Sequence, residues 1–358
     1  MISNKPIPEK MKVLNLKAIG DLVYEKKETP KLKENEVLLQ IKCCGICSSD
    51  IERVFINGTY HFPTIPGHEF SGEIVAVYNE EDKYLLGQSA SVFPLLPCNN
   101  CQACNDEEYA QCSNYNYFGS RCDGGFSEYL AVPKWNLVLF EGLDYDVAAL
   151  CEPAAVSLHA LNRINIPKGE KIFVLGTGTI GLLISMFAKS KGLDVYIGAR
   201  REESIKYVES LGFKTINTNN LVEELKNKTN NEGFKYIFEA IGGNQVLEQA
   251  ILSSANFAKI VVVGNPKDNL QLEKNIYWKI LRKQLTVVGT WNSSYGKVVN
   301  DWKEALEFMK ENSVLFKQLI TNKYPLEKYD EAFNLLRDKT KFKIKVMFEI
   351  NTHTISST

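Results

Sequence analysis

No apolar run in this 358-residue chain approaches the roughly 20 residues needed to span a bilayer, so no membrane helix is expected. Neither sign of charge is in excess: 42 Lys and Arg stand against 43 Asp and Glu, a formal net charge of −1. Nucleic acid or an anionic membrane surface calls for a basic footprint, and this balance supplies none. The N-terminal stretch MISNKPIPEKMKVLNLKAIG lacks an apolar signal core followed by a small-residue cleavage site, and reads as a short polar extension leading into a strand. Internal repeats and low-complexity segments are missing as well. What remains is an ordinary soluble globular composition, 44% hydrophobic and 24% charged, with length enough for two domains.

Cysteine, by contrast, is plentiful. There are nine, an odd number, and they cluster. Disulfides are rare in the reducing cytosol, where clustered cysteines bind metal or do chemistry, so the expected compartment is cytoplasmic.

To about residue 150 the chain reads as short strands broken by Gly, Pro and Asn. VLLQIKCCGIC, GEIVAV, SASVF and FSEYLAVP carry the branched and aromatic residues that strands favour. The character changes near Asp146, where DVAALCEPAAVSLHALNRI has apolar residues at helical spacing. Strands and helices then alternate from KIFVLG through IGLLISMFAKSKG, DVYIGA, ESIKYVESLG and KYIFEA to LTVVGT, the pattern of a parallel sheet with helices on both faces. After Thr290 come the helix DWKEALEFMKEN, the segment LITNKYPLEKYDEAFNLLRD and a last strand, KIKVMFEI, which together are too short for a domain of their own. The final eight residues, NTHTISST, are polar and expected to fray.

Three constellations carry chemistry. Gly176-Thr177-Gly178-Thr179-Ile180-Gly181 follows a strand and opens a helix, the setting in which glycines let a dinucleotide pyrophosphate approach the positive helix end. At the end of the next strand an NAD enzyme usually has an acid for the ribose hydroxyls. Here Ala199 stands there, followed by Arg200 and Arg201, which favours NADP over NAD because arginine can bind a 2′-phosphate bidentately. Two solvated arginines, neutralised by Glu202 and Glu203, are the plainer reading. Second, Cys98, Cys101, Cys104 and Cys112 can close a tetrahedron around a structural zinc with no position left for substrate. An iron–sulfur cluster starts with similar spacing but brings its fourth cysteine sooner and before proline, whereas Cys112 precedes Ser113. Third, Cys47, His68, Glu69 and Glu152 are dispersed; one thiolate, one imidazole and carboxylates, left open, suit a catalytic zinc.

GICSSD, PGHEFSGEIV, the four-cysteine lobe, CEPAAVSLHAL and VLGTGTIGLL, in this order, resemble the medium-chain zinc dehydrogenases over nearly the whole chain. The resemblance implies an α/β architecture. A Rossmann doubly wound parallel sheet (158–295) is set between the two parts of a GroES-like β-rich catalytic domain (1–157 and 296–358), whose zinc lobe lies at about 95–115. It implies two zinc ions per chain, with Cys47, His68 and Glu152 as catalytic ligands and Glu69 able to exchange with Glu152 or with water. It also implies that Asp50 orients the histidine, and that Ser49 contacts the substrate oxygen and relays its proton outward. Within the family, NGTYHFPTIPGHEFSG, PLLPCNNCQAC, QCSNYNYFGSRCDGGFSEY and KILRKQLTVVGTW are most similar to the polyol-phosphate branch. The implied reaction moves a hydride between a nicotinamide cofactor and a pair of the galactitol 1-phosphate and tagatose 6-phosphate type.

Such a substrate needs a cationic anchor, for which Arg121 is the candidate, against a surface arginine in a turn. Tyr60, Trp291 and Asn292 are candidate pocket residues, with core packing the alternative for the two aromatics. Cys43, Cys44, Cys122 and Cys151 read as buried small hydrophobes, Cys151 being a second-choice ligand should Glu152 point away. The rivals are a dehydrogenase of free polyols (sorbitol-like) or of threonine, and a non-catalytic zinc-binding interaction module. A homodimer or homotetramer is expected, joined through LTVVGT; no nucleic-acid or membrane partner is.

Overall fold

The computed structural model describes residues 1–350, and the expected fraying of NTHTISST lies outside the described residues. Two compact units divide the chain: Pro153–Ser293, and Met1–Glu152 together with the segment that begins at Ser294.

The first unit is built on an eight-stranded sheet. Its central strand, Glu36–Gly45, is VLLQIKCCG with a glutamate ahead of it, and seven of its ten residues are buried, because neighbours cover both faces. On one side it pairs antiparallel with Glu69–Val77, and on the other its end meets Lys345–Glu349, the last strand of the described chain. The sequence returns here after the second unit to supply that strand and Ile320–Pro325 beside it. Gly45 lies opposite Glu69 in this register, and a Cβ on Gly45 would stand 2.2 Å from Glu69 Oε2. Only a glycine lets that carboxylate occupy its place. Before residue 145 helices are few and short, in keeping with the strand-rich sequence there; Ser48–Glu52 follows the central strand directly and widens into a π-turn over Arg53–Asn57. A separate hairpin, Lys10–Ala18 with Asp21–Glu28, turns at Gly20.

The second unit is a six-stranded, wholly parallel sheet. Numbered along the unit, its strands lie in the order 3-2-1-4-5-6, the doubly wound arrangement of a dinucleotide fold. The first strand, Lys171–Leu175, and its successor Asp194–Ala199 are buried along nearly their whole length. Two helices beyond those read from the sequence flank the sheet, Leu221–Thr229 and Lys274–Arg282; both are charge-rich with a narrow apolar stripe. The long helical pattern starting at Asp146 is interrupted: a single turn, Tyr145–Ala148, precedes the helix Cys151–Asn162.

Candidate active site and metal centres

The four-cysteine lobe assembles as its spacing requires. Its sulfurs lie within 4.8 Å of one another, with separations of 3.5 Å (Cys101–Cys104), 3.8 Å (Cys101–Cys112) and 3.9 Å (Cys98–Cys104). A tetrahedron with metal–sulfur bonds of about 2.3 Å has edges of about 3.8 Å, so the sulfurs fit a zinc ion and stand far outside bonding distance for a disulfide. Backbone N–H groups of Ser113 and Cys104, followed by the Cys104 and Cys98 thiols, lower the Cys101 pKa to about 6, which favours the thiolate a metal needs.

The dispersed residues also converge. Cys47 sits at the N-terminus of the helix Ser48–Glu52, and its sulfur, a ring nitrogen of His68 and a Glu69 oxygen lie within 4.8 Å of one another. Asp50 ties two of these together. Its Oδ2 accepts the Cys47 backbone N–H at 2.9 Å, while Oδ1 lies 3.4 Å from His68 Nδ1. Burial alone would raise the Asp50 pKa, yet His68, and then Arg53, hold it below the usual carboxylate value.

Glu152 does not join that ligand group; it begins the helix Cys151–Asn162 and accepts a 3.2 Å hydrogen bond from Tyr117 Oη. Burial pushes the Glu152 pKa up to about 7, with Glu69 adding to the rise against the pull of His68 and Lys345. The Tyr117 ring tilts against the His68 ring at 5.8 Å. Burial, then Glu152, raises the phenol well above its ordinary value, so it stays a neutral donor. The neighbouring Cys151 is buried, and its thiol points to the Trp302 carbonyl at 3.8 Å.

Three side chains of this site were not read from the sequence. Lys345, only 4% exposed, donates to Glu69 Oε2 at 2.6 Å. Burial disfavours its charge, but Glu69 and then Cys47 raise its pKa, so it is an ammonium. Arg53 lies with Nη1 2.9 Å from Ser49 Oγ, 3.3 Å from Asp50 Oδ1 and 3.5 Å from His68 Nδ1. Tyr117 is the third. Arg53 could have been found, since it is four residues from Ser49 on one helical turn; a lysine in a strand gives no sign of burial. A soft thiol sulfur and an imidazole beside hard carboxylate oxygens make a donor set that suits zinc.

In the second unit, Gly176 has φ +136° and Gly178 caps the helix Thr179–Ser190, in which Ile180 makes the first turn. A Cβ on Gly181 would lie 2.2 Å from the Gly176 carbonyl oxygen, so helix and strand approach as only glycine allows. A Cβ on Gly178 would meet nothing within 4 Å, leaving open space at the helix N-terminus beside Thr177. Ala199, 3% exposed, ends its strand; Arg200 and Arg201 follow, both exposed. Glu202 is paired with Lys206 at 2.7 Å.

Arg121 is half-buried and clamped: its guanidinium lies 4.2 Å from the Tyr60 ring centre and 4.3 Å from that of Tyr115. Nη1 donates to the Tyr115 carbonyl and Nη2 to the Tyr60 hydroxyl, each at 3.1 Å. The alternative of core packing fails for Tyr60 and Trp291, which are 71% and 57% exposed; Asn292 follows Trp291 with φ +57°. Of the remaining cysteines, Cys43, Cys44 and Cys151 are buried as expected, whereas Cys122 is only partly so.

Residues 33–142 match the family described as Alcohol dehydrogenase GroES-like domain, and residues 179–311 that described as Zinc-binding dehydrogenase. The chain is 32% identical over 315 residues to galactitol 1-phosphate 5-dehydrogenase of Escherichia coli strain K12, covering 85% of this chain and 90% of that protein. It is 28% identical to sorbitol dehydrogenase of Bacillus subtilis strain 168, covering 91% and 93%. The crystal structure of galactitol-1-phosphate dehydrogenase from Escherichia coli superposes with a TM-score of 0.86 at 30% identity, covering 95% of this chain and all of that one.

Proposed function

The chain belongs to the medium-chain zinc-dependent dehydrogenases of alcohols and polyols, and from that premise we propose that it interconverts a polyol phosphate and a ketose phosphate, of the galactitol 1-phosphate and tagatose 6-phosphate type, with NADP(H). Cys98, Cys101, Cys104 and Cys112 would hold one zinc. Cys47 and His68, with Glu69 or Glu152, would hold a second, catalytic one. When bound, zinc supplies Lewis-acid polarisation of the substrate oxygen and the dinucleotide supplies the hydride.

The protein's own groups do the positioning. Asp50 fixes the tautomer and direction of His68 while holding the Cys47 backbone. Ser49 touches the substrate oxygen. Tyr117 and Lys345 each hold one of the two carboxylates. Gly176 to Gly181 bring the backbone against the pyrophosphate, and Arg200 and Arg201 receive the 2′-phosphate where an NAD enzyme has an acid. Two copies are proposed to join through the strand Thr286–Gly289. It pairs on one side only, leaves Val287 48% exposed, and neighbours the exposed Tyr277, Trp278 and Leu281 in sequence. A reducing, cytoplasmic setting suits nine free cysteines.

The observation that carries the phosphorylated substrate is Arg121, a cation held rigid between two tyrosine rings on the segment most similar to the polyol-phosphate branch. One detail favours a second reading, a free polyol: two of that guanidinium's nitrogens already donate to Tyr115 and Tyr60. NADPH-dependent reduction of tagatose 6-phosphate and of tagatose separates the two. A charge-assisted contact should favour the phosphate ester in kcat/KM by about ten- to over a hundredfold. Equal rates, or a preference for the free sugar, move the assignment to a free-polyol dehydrogenase. A chain that binds one zinc and reduces neither is the interaction module.

A further inference from the structure

We infer that Arg53 is a positioning residue that turns Ser49 into a fixed hydrogen-bond donor toward the reacting oxygen and closes proton transfer through Ser49 on that side. The inference rests on the functional reading above, in which Ser49 meets the substrate oxygen. A serine hydroxyl has one hydrogen to give and two lone pairs to receive, whereas a guanidinium has five donors, no acceptor and a permanent charge. The 2.9 Å contact between Arg53 Nη1 and Ser49 Oγ therefore has one sense: arginine donates, serine accepts. Arg53 is the hydrogen-bond partner of Ser49 Oγ among the described residues. The serine's own hydrogen is thus left for a group that enters the site.

The arrangement follows from the local chain. Ser49 and Arg53 are four residues apart where the helix Ser48–Glu52 runs into the π-turn Arg53–Asn57, so both project from one face. The same Nη1 lies 3.3 Å from Asp50 Oδ1, which anchors the guanidinium against a buried carboxylate. Its side chain is 22% exposed, and a cation so sheltered polarises the hydroxyl more strongly than one in open water. A relay outward through Ser49 needs an acceptor next in line, and Arg53 cannot be one. An outward relay from Ser49, as the family resemblance implies, would have to leave by an acceptor other than Arg53.

The test is a double-mutant cycle on whichever of tagatose 6-phosphate and tagatose the unaltered enzyme reduces, with zinc content measured on every variant. Arg53→Gln is expected to lower kcat by about ten- to a hundredfold with KM changed less than about threefold, since it acts on an interaction strengthened in the transition state. Arg53→Lys should recover part of that loss. Ser49→Ala should lose more, and Arg53→Gln added to Ser49→Ala should cost nothing further. All variants should keep the zinc content of the unaltered protein. Losses that multiply in the double variant, an unaffected Arg53→Gln enzyme, or zinc lost from Arg53→Gln and Arg53→Lys alike would each overturn the role of Arg53 while leaving the dehydrogenase reading standing. An unaltered enzyme that reduces neither sugar overturns both.

Discussion

Lys345 Nζ and Glu69 Oε2 are 2.6 Å apart in a site where their side chains are 4% and 2% exposed. Removing one member of such a pair leaves the other charged, buried and uncompensated, at a cost of about 3–5 kcal/mol. Lys345→Met should therefore lower unfolding free energy by about that amount in urea titrations, and Lys345→Met with Glu69→Gln should recover most of it. Equal destabilisation of the single and double variants would show that the pair is not the source.

The glycine turn makes opposite forecasts at two positions. Gly178→Ala has room for its Cβ, so its melting temperature should match that of the unaltered protein. The methyl group would nonetheless occupy the space before the helix N-terminus, and NADPH affinity by fluorescence titration should fall about tenfold or more. Gly181→Ala drives its Cβ against the Gly176 carbonyl and should lose stability as well as affinity. Undiminished NADPH binding by Gly178→Ala would remove the cofactor from this turn.

Cys104→Ser breaks the sulfur tetrahedron and should reduce zinc from the proposed two ions per chain to one. Metal analysis after dialysis reads this directly. The melting temperature should drop by well over 5 °C, because a structural zinc binds its loop with about 10 kcal/mol or more of apparent energy. Retention of two ions would mean that the lobe is not a metal site.

Lys323 gives a pH-dependent forecast. Burial opposes its charge, but hydrogen bonds to Asp146 and then Glu349 raise its pKa above the ordinary 10.5. A raised lysine stabilises the fold fully below its unfolded pKa and loses that contribution as pH climbs through the folded value. Lys323→Met should thus cost on the order of 1 kcal/mol near pH 8, allowing for solvent screening at a half-exposed group. The gap to the unaltered protein should narrow above about pH 11. A gap that stays constant to high pH would assign the loss to packing.

The parts of the site that a reader of the sequence can see are those whose chemistry is local. Cys98 to Cys112 span one loop, and the glycines from Gly176 to Gly181 span one turn, so spacing alone describes them. Cys47, His68 and Glu152 are visible because thiolate, imidazole and carboxylate are unusual in strand-rich, buried settings, and because the family motifs frame them. Lys345 is invisible for the opposite reason: KIKVMFEI places it among residues that alternate as on a solvated edge strand, whereas in the fold its strand lies between Glu36–Gly45 and Ile320–Pro325 and Lys345 is 4% exposed. Tyr117 lies in a stretch rich in tyrosine and asparagine, where nothing marks one ring as facing a carboxylate. The helix Leu221–Thr229 escapes notice because its first-turn glutamates and later lysines mask a stripe of Leu221, Leu225 and Thr229.

The strand Lys345–Glu349 also sets an order of events. Cys47, His68, Glu69 and Glu152 have all left the ribosome long before Lys345 is made, 193 residues after Glu152. At about 5–20 residues per second that interval is roughly 10–40 s. Through that time the central sheet has an unfilled edge beside Gly45, and Glu69 has no ammonium to meet. The nascent chain lacks that ammonium until the strand Lys345–Glu349 arrives, so the second unit is synthesised whole before the first can finish folding.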